Sequence, residues 1–199
     1  MMRLHPLAPS MTHPTCPTLT PTGPRRARWL LQALCCLFAG HAAAQSLCRT
    51  DEEVFFSCRI ERSEKTASVC GVAVDGQLTR LQYRFGTPRH LELTYPPAVK
   101  GSVTHFQLEH VNSNDGKGGG QFYNELFFRS GTFYYAVLSG KHSREDGRFE
   151  GDRQISVFDA DPWLSSPLRT LTCAPSGAVD HLPRLYDLIG EGEQILPRH

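Results

Sequence analysis

This 199-residue chain carries almost no excess charge: 21 lysines and arginines stand against 20 aspartates and glutamates, a formal net charge of +1. Without a cationic surplus there is no electrostatic footprint for a nucleic-acid backbone. It also lacks an apolar run of the ~20 residues that span a bilayer. No two cysteines stand in Cys-x-x-Cys spacing, which disfavours thioredoxin-like exchange and zinc ribbons. The familiar catalytic signatures are missing as well: no Gly-x-Ser-x-Gly elbow, no His-Glu-x-x-His, and no glycine-rich phosphate loop feeding a helix with Lys and Ser/Thr. These absences imply no cofactor and no metal, assign no catalytic residue, and weigh against an enzyme.

What is present begins with residues 25–44. Arg25, Arg26 and Arg28 form a basic start, Trp29 to Gly40 is mostly apolar, and Ala42-Ala43-Ala44 offers a small-residue cleavage site. That order is the pattern of a secretory signal peptide. The preceding residues 1–24 hold six prolines, Pro6, Pro9, Pro14, Pro17, Pro21 and Pro24, with no apolar period. Such a stretch buries too little surface to order itself, and reads as a disordered extension or a misplaced start. The expected mature chain, residues 45–199, suits one domain. Removing Arg3, Arg25, Arg26 and Arg28 leaves 17 basic against 20 acidic residues. Export predicts a periplasmic or secreted protein with no stable membrane span.

Four of the seven cysteines survive processing: Cys48, Cys58, Cys70 and Cys173. An even number in an exported chain reads as two disulfides, with three connectivities open.

The mature sequence alternates apolar and polar residues with period two, broken by Gly, Pro, Asn and Asp, as antiparallel strands do. Strands are predicted over 54–60, with Val54, Phe56, Cys58 and Ile60 on one face, and over 68–74, with Ser68, Cys70, Val72 and Val74 on one face. Folding these about Glu64 sets Cys58 opposite Cys70. That register favours a Cys58–Cys70 bridge and leaves Cys48 for Cys173. Asp75-Gly76 predicts a tight hairpin into 78–85, followed by strands over 90–95 and 103–111. Residues 112–120 read as a mobile loop. Strands over 121–129 and 132–139 flank Ser130-Gly131, then 140–152 reads as a charged loop before strands over 153–159 and 168–173. Asp180 is expected to cap a short helix bearing Leu182, Leu185, Tyr186 and Ile189. The fold class is therefore all-β: an antiparallel sandwich or small barrel of about nine strands with a short C-terminal helix.

Three constellations carry residues able to do chemistry. His105, Glu109 and His110 fall on one predicted strand, where His105 and Glu109 lie ~13 Å apart and cannot share a metal. Arg80, Arg84, Arg89 and His90 form a cationic face able to meet an anion, or simply a solvated one. The loop from Asn112 to Gly120 fails the calcium-loop template but suits recognition on a rigid β scaffold.

The runs Phe56-Ser57-Cys58, Lys65-Thr66-Ala67-Ser68-Val69-Cys70 and Leu81-Gln82-Tyr83-Arg84-Phe85-Gly86 resemble a family of small exported bacterial β-rich proteins of no assigned activity. The likeness extends over roughly residues 48–173 and implies export and a β fold, without a mechanism. Gly118-Gly119-Gly120-Gln121-Phe122-Tyr123 and Phe128-Arg129-Ser130-Gly131 are more faintly similar to the loop and hairpin of periplasmic inhibitors of c-type lysozyme. The serine of that loop motif is absent here, so the likeness is one of fold.

The expected function is a non-enzymatic binding or interaction domain of the envelope or exterior, with an envelope or extracellular protein as partner. Asp115, Gly118, Gly119, Gly120, Tyr123 and Tyr134 are the candidate binding residues. The alternatives are an envelope hydrolase using His105, Glu109 or Asp115, an inhibitor of a lysozyme-like enzyme, and a structural envelope component.

Overall fold

Among the described residues, ten strands and one helix follow the alternation of the sequence in a computed structural model. The structure describes residues 46–114, 116, 119–144, 146, 148–189 and 195–197, within a unit spanning Ala42–His199. The proline-rich residues 1–24 and the expected signal segment, 25–44, lie outside the described residues. The strands are β1 (Glu53–Arg59), β2 (Thr66–Val74), β3 (Gln77–Thr87), β4 (His90–Tyr95), β5 (Gln107–Asn114), β6 (Gly120–Ser130), β7 (Phe133–Ser143), β8 (Phe149–Phe158), β9 (Arg169–Thr172) and β10 (Val179–Asp180). Helix α1 is Leu182–Ile189, and a single 3-10 turn covers Ser102–His105. The strands form two open antiparallel sheets, ordered β10-β1-β2-β3-β4 and β5-β6-β7-β8-β9. The fold is thus a sandwich and not a closed barrel. Among the described residues no helix is long and apolar enough to cross a membrane.

Local chemistry places the turns where expected. Asp75 and Gly76 both take positive φ (51° and 78°) between Val74 and Gln77, the conformation a two-residue hairpin of matching twist requires. Gly131, at φ 62°, turns β6 into β7. The inner faces meet in one core that includes Phe55, Phe56, Val69, Leu81, Phe106 and Phe128. Leu182 and Leu185 of α1 are fully buried in the same core and close one end of it.

The first hairpin departs from the expected register. Cys58 falls opposite Ala67, three residues from Cys70, and a bulge between Val54 and Phe56 then sets Val54 opposite Cys70. The extra residue sends both Phe55 and Phe56 inward. Ala67 and Val69, not Ser68 and Cys70, join the core from β2. Both faces of β2 are buried from Thr66 to Gly71, so period-two alternation there could not tell inside from outside.

The disulfides change with the register. Cys48 bonds Cys70, and Cys58 bonds Cys173, with Cα–Cα separations of 5.3 and 5.6 Å; the expected Cys58–Cys70 and Cys48–Cys173 pairing is corrected. Cys70 points to the outside of its sheet, where the segment from Ser46 to Glu52 crosses, while Cys58 points inward beside the Ile60–Cys173 bridge. The first bond fastens the N-terminal segment over one sheet and the second ties the two sheets together.

Three further expectations are revised. Residues 103–105 belong to the 3-10 turn, so β5 begins at Gln107. The loops expected at 112–120 and 140–152 are shortened by strand at both ends, because β5 runs to Asn114 and β6 starts at Gly120, while β7 runs to Ser143 and β8 starts at Phe149. Their polar residues hid the strands because both faces at that end are solvated. Asp180 pairs with Phe56 in β10, and its carboxylate turns to Ser139 and Arg153 instead of capping α1.

Candidate functional site

The end of the second sheet that carries the β5–β6 and β7–β8 turns extends past the core. Its inner face shows the consequence. Phe122 and Phe149 lie with ring centroids 6.0 Å apart, and the Lys141 ammonium sits 5.5 and 5.4 Å from their centres. Phe149 is 45% exposed, although it lies on the face that buries Ile155 further along the same strand. A cation held between two aromatic rings covers them without a hydrophobic core.

The outer face at the same end presents Tyr123. Its ring crosses Gly140 on β7, where a Cβ would fall on the ring and on the Phe122 carbonyl. Only a glycine leaves that passage open. The Tyr123 hydroxyl thereby reaches Asp152 Oδ2 on β8 at 3.4 Å, and the same oxygen lies 2.7 Å from His142 Nδ1. Burial and then the Asp152 charge push Tyr123 above its ordinary value, so the phenol stays protonated and donates.

One row nearer the core, Glu109 and Glu125 stand directly opposite each other on β5 and β6. Burial, and secondly the Glu109 charge, push Glu125 up to about 7. Glu109 accepts a hydrogen bond from Gln107 Nε2 at 2.5 Å. Glu125 therefore holds a proton readily near neutrality. Under α1, Ser139 Oγ donates to Asp180 Oδ2, Arg153 Nε lies 3.4 Å from it, and Asp180 Oδ1 is buried without a partner among the described residues.

The residues expected to bind are divided by the structure. Asp115 and Gly118 lie outside the described residues. Gly119 immediately precedes β6, and Gly120 opens that strand pressed against the Ser113 carbonyl, donating its N–H to Ser143 Oγ at 3.0 Å. Tyr123 is on the projecting end. Tyr134 is not: it pairs with Arg129, six residues further along β6, which puts it ~20 Å away. There its ring lies 5.3 Å from the Arg129 guanidinium carbon. Sequence reasoning missed Phe122, His142, Phe149 and Asp152 as site residues. The stretch 141–152 offered little signal, with Phe149 alone among charged and polar residues.

The other two constellations serve the fold. Arg84, expected on a cationic face, is 2% exposed and grips Glu52 through two bonds of 2.5 and 2.8 Å. It also donates to Leu47 O and Gln82 Oε1. Burial opposes the Glu52 charge, but bonds from Arg84 and the Arg49 N–H prevail and hold the carboxyl below its usual range. Arg80 pairs with Asp51 at 2.9 Å and lowers that carboxyl likewise. The Cys48 and Cys70 sulfurs and the Glu52 carboxylate converge, but the disulfide and Arg84 already engage these groups. His105 sits in the 3-10 turn, edge-on to Tyr95, apart from Glu109; His110 faces the opposite way from Glu109 and bonds Asn124 Oδ1 at 3.0 Å.

Among the described residues no hydroxyl or thiol bonds the second ring nitrogen of His142, so the Asp152–His142 pair lacks the nucleophile that such a pair activates. No family model, curated protein or solved structure matches this chain.

Proposed function

We propose that this chain is an exported binding domain, working in the periplasm or outside the cell, whose recognition surface is the projecting end of the second sheet. The observation that carries the reading is the half-exposed aromatic and ionisable set gathered there. Phe122, Lys141 and Phe149 stand on one face and Tyr123, His142 and Asp152 on the other. Aromatic rings held rigidly on strands provide contact area at low entropic cost, and their polar tips supply direction. The disulfides suit an oxidising compartment, and the basic and apolar order of residues 25–44 suits export. An envelope or extracellular protein is the proposed partner, and the likeness to lysozyme inhibitors makes a lysozyme-like enzyme one specific target to assay.

The test is capture of a stoichiometric partner from envelope extract by the oxidised full chain, repeated with variants. Phe149→Ala and Tyr123→Ala should each lose the partner, whereas Tyr134→Ala, ~20 Å away, should keep it. Retention by both of the first two would remove this end from the reading. A hydrolase is the second reading, favoured by the Glu109–Glu125 pair. It requires turnover of an envelope substrate that Glu125→Gln abolishes.

A further inference from the structure

A second site lies at the opposite end of the sandwich, where among the described residues no helix closes the gap between the sheets. A cleft of about 500 Å³ opens there. Its walls are apolar side chains from both inner faces: Phe85 and Leu93 from the first sheet, Tyr135, Val157 and Leu171 from the second. Each is only half-buried, although each lies on a face that elsewhere forms the core. At the other end the equivalent space is filled by Leu182 and Leu185. The volume falls within the ~300–1,000 Å³ typical of small-molecule sites, and apolar walls with a few polar groups at the mouth are their usual lining.

The mouth carries Arg62, Lys65 and Arg169 against Glu61 and Glu92. Both acids are engaged: Lys65 Nζ meets Glu92 Oε2 at 2.8 Å, and Arg62 Nε lies 3.8 Å from Glu61 Oε1. Arg169 has no ion-pair partner among the described residues, and it stands on the inner-face side of β9 next to the Leu171 wall. Arg62 takes a positive φ of 56° at the tip of the β1–β2 turn, a conformation that long side chains rarely adopt and that concentrates at binding sites. An apolar slot whose rim holds one unneutralised guanidinium is complementary to an apolar tail with a single anionic head.

We infer that this cleft binds a single-tailed carboxylate amphiphile of the long-chain fatty-acid type, with its tail between the sheets and its carboxylate on Arg169. The tail would cover the half-buried apolar walls, and the planar carboxylate matches the guanidinium fork. The site is at the far end of the sheet from the projecting strands, so it stands or falls independently of the partner-binding reading.

The experiment is titration of dansyl-labelled undecanoic acid into the full disulfide-bonded chain, then displacement by hexadecanoate and, separately, by hexadecanol. Saturable one-to-one binding is expected, with the alcohol displacing at least about tenfold more weakly than the acid because it lacks the charge. Val157→Trp fills the slot and should remove binding while a cooperative melting transition remains. Should that variant fail to fold, Arg169→Glu changes only the exposed rim and should weaken binding by about tenfold or more. The inference is overturned by absence of saturable binding, by equal displacement with the alcohol, or by undiminished binding in Arg169→Glu. It is also overturned if self-association closes the mouth, leaving a second copy of the chain as the occupant.

Discussion

Replacing Glu125 with glutamine keeps the shape of the side chain and removes its charge, which isolates the cost of ionising it between Glu109 and Leu138. Burial first, and the Glu109 carboxylate second, raise this group from 4.5 to about 7. In the unfolded chain it returns to an ordinary glutamate, so the folded state holds the proton more tightly. The stability it contributes is therefore full below the unfolded value and is lost as pH rises through about 7. At ~1.4 kcal/mol per pH unit, the rise from 4.5 to about 7 amounts to roughly 3 kcal/mol. Urea denaturation of the oxidised chain, read by fluorescence at pH 5 and pH 8, measures this directly. Wild type and Glu125→Gln should differ by under about 1 kcal/mol at pH 5, and the variant should be more stable by up to about 3 kcal/mol at pH 8. Glu109→Gln should recover only the smaller part, since burial is the larger cause. Parallel stability curves for wild type and Glu125→Gln across that range would refute the reasoning.

Three other outcomes follow from the packing. Glu52→Ala leaves the Arg84 guanidinium buried without its carboxylate, and should cost ~3–5 kcal/mol in chemical denaturation, with part recovered in a double variant carrying Arg84→Met. The wild-type pair contributes fully above the unfolded glutamate pKa of ~4.3 and loses its contribution as pH falls through the lowered folded value. Gly140→Ala drives a methyl into the Tyr123 ring and the Phe122 carbonyl; we expect a loss of ~1–3 kcal/mol and a fall of the Tyr123 phenol toward its ordinary titration, followed by absorbance. Peptide mapping under non-reducing conditions should find Cys48–Cys70 and Cys58–Cys173. With sequence separations of 22 and 115, removing them should cost ~3 and ~5 kcal/mol respectively on the chain-entropy account.

Much of the fold was legible because its signals are local. The Asp75-Gly76 and Ser130-Gly131 turns need backbone conformations that few residues supply, and the strand over 90–95 is bounded by chemistry on both sides. The helix spacing of Leu182, Leu185 and Ile189 was equally plain. Strand faces were legible only where one side meets water. Leu81, Tyr83 and Phe85 do point inward, but Arg84 on the other side is buried too, beneath a segment that arrives from more than 30 residues upstream. The β5–β8 extension failed as strand by the opposite route, since water on both faces removes the period altogether. The candidate site inherited that blindness: Tyr123 stood out by its aromatic neighbourhood, whereas His142, Phe149 and Asp152 were hidden in what looked like a charged loop.

By itself the sequence determined an antiparallel β domain with two tight hairpins, a closing C-terminal helix and four cysteines for two bonds. Each of these depends on residues near one another in the chain, where backbone preference and alternation act directly. Only the tertiary structure decided which cysteines meet, because the β1–β2 turn sets Cys58 opposite Ala67, while Cys70 faces the other side of its sheet, toward the N-terminal segment. Only it could bring Glu52 to Arg84, lay Tyr123 across Gly140 onto Asp152, and leave one end of the sandwich open. Those relations join strands distant in sequence, and their geometry is set by how two sheets pack, which no local pattern encodes.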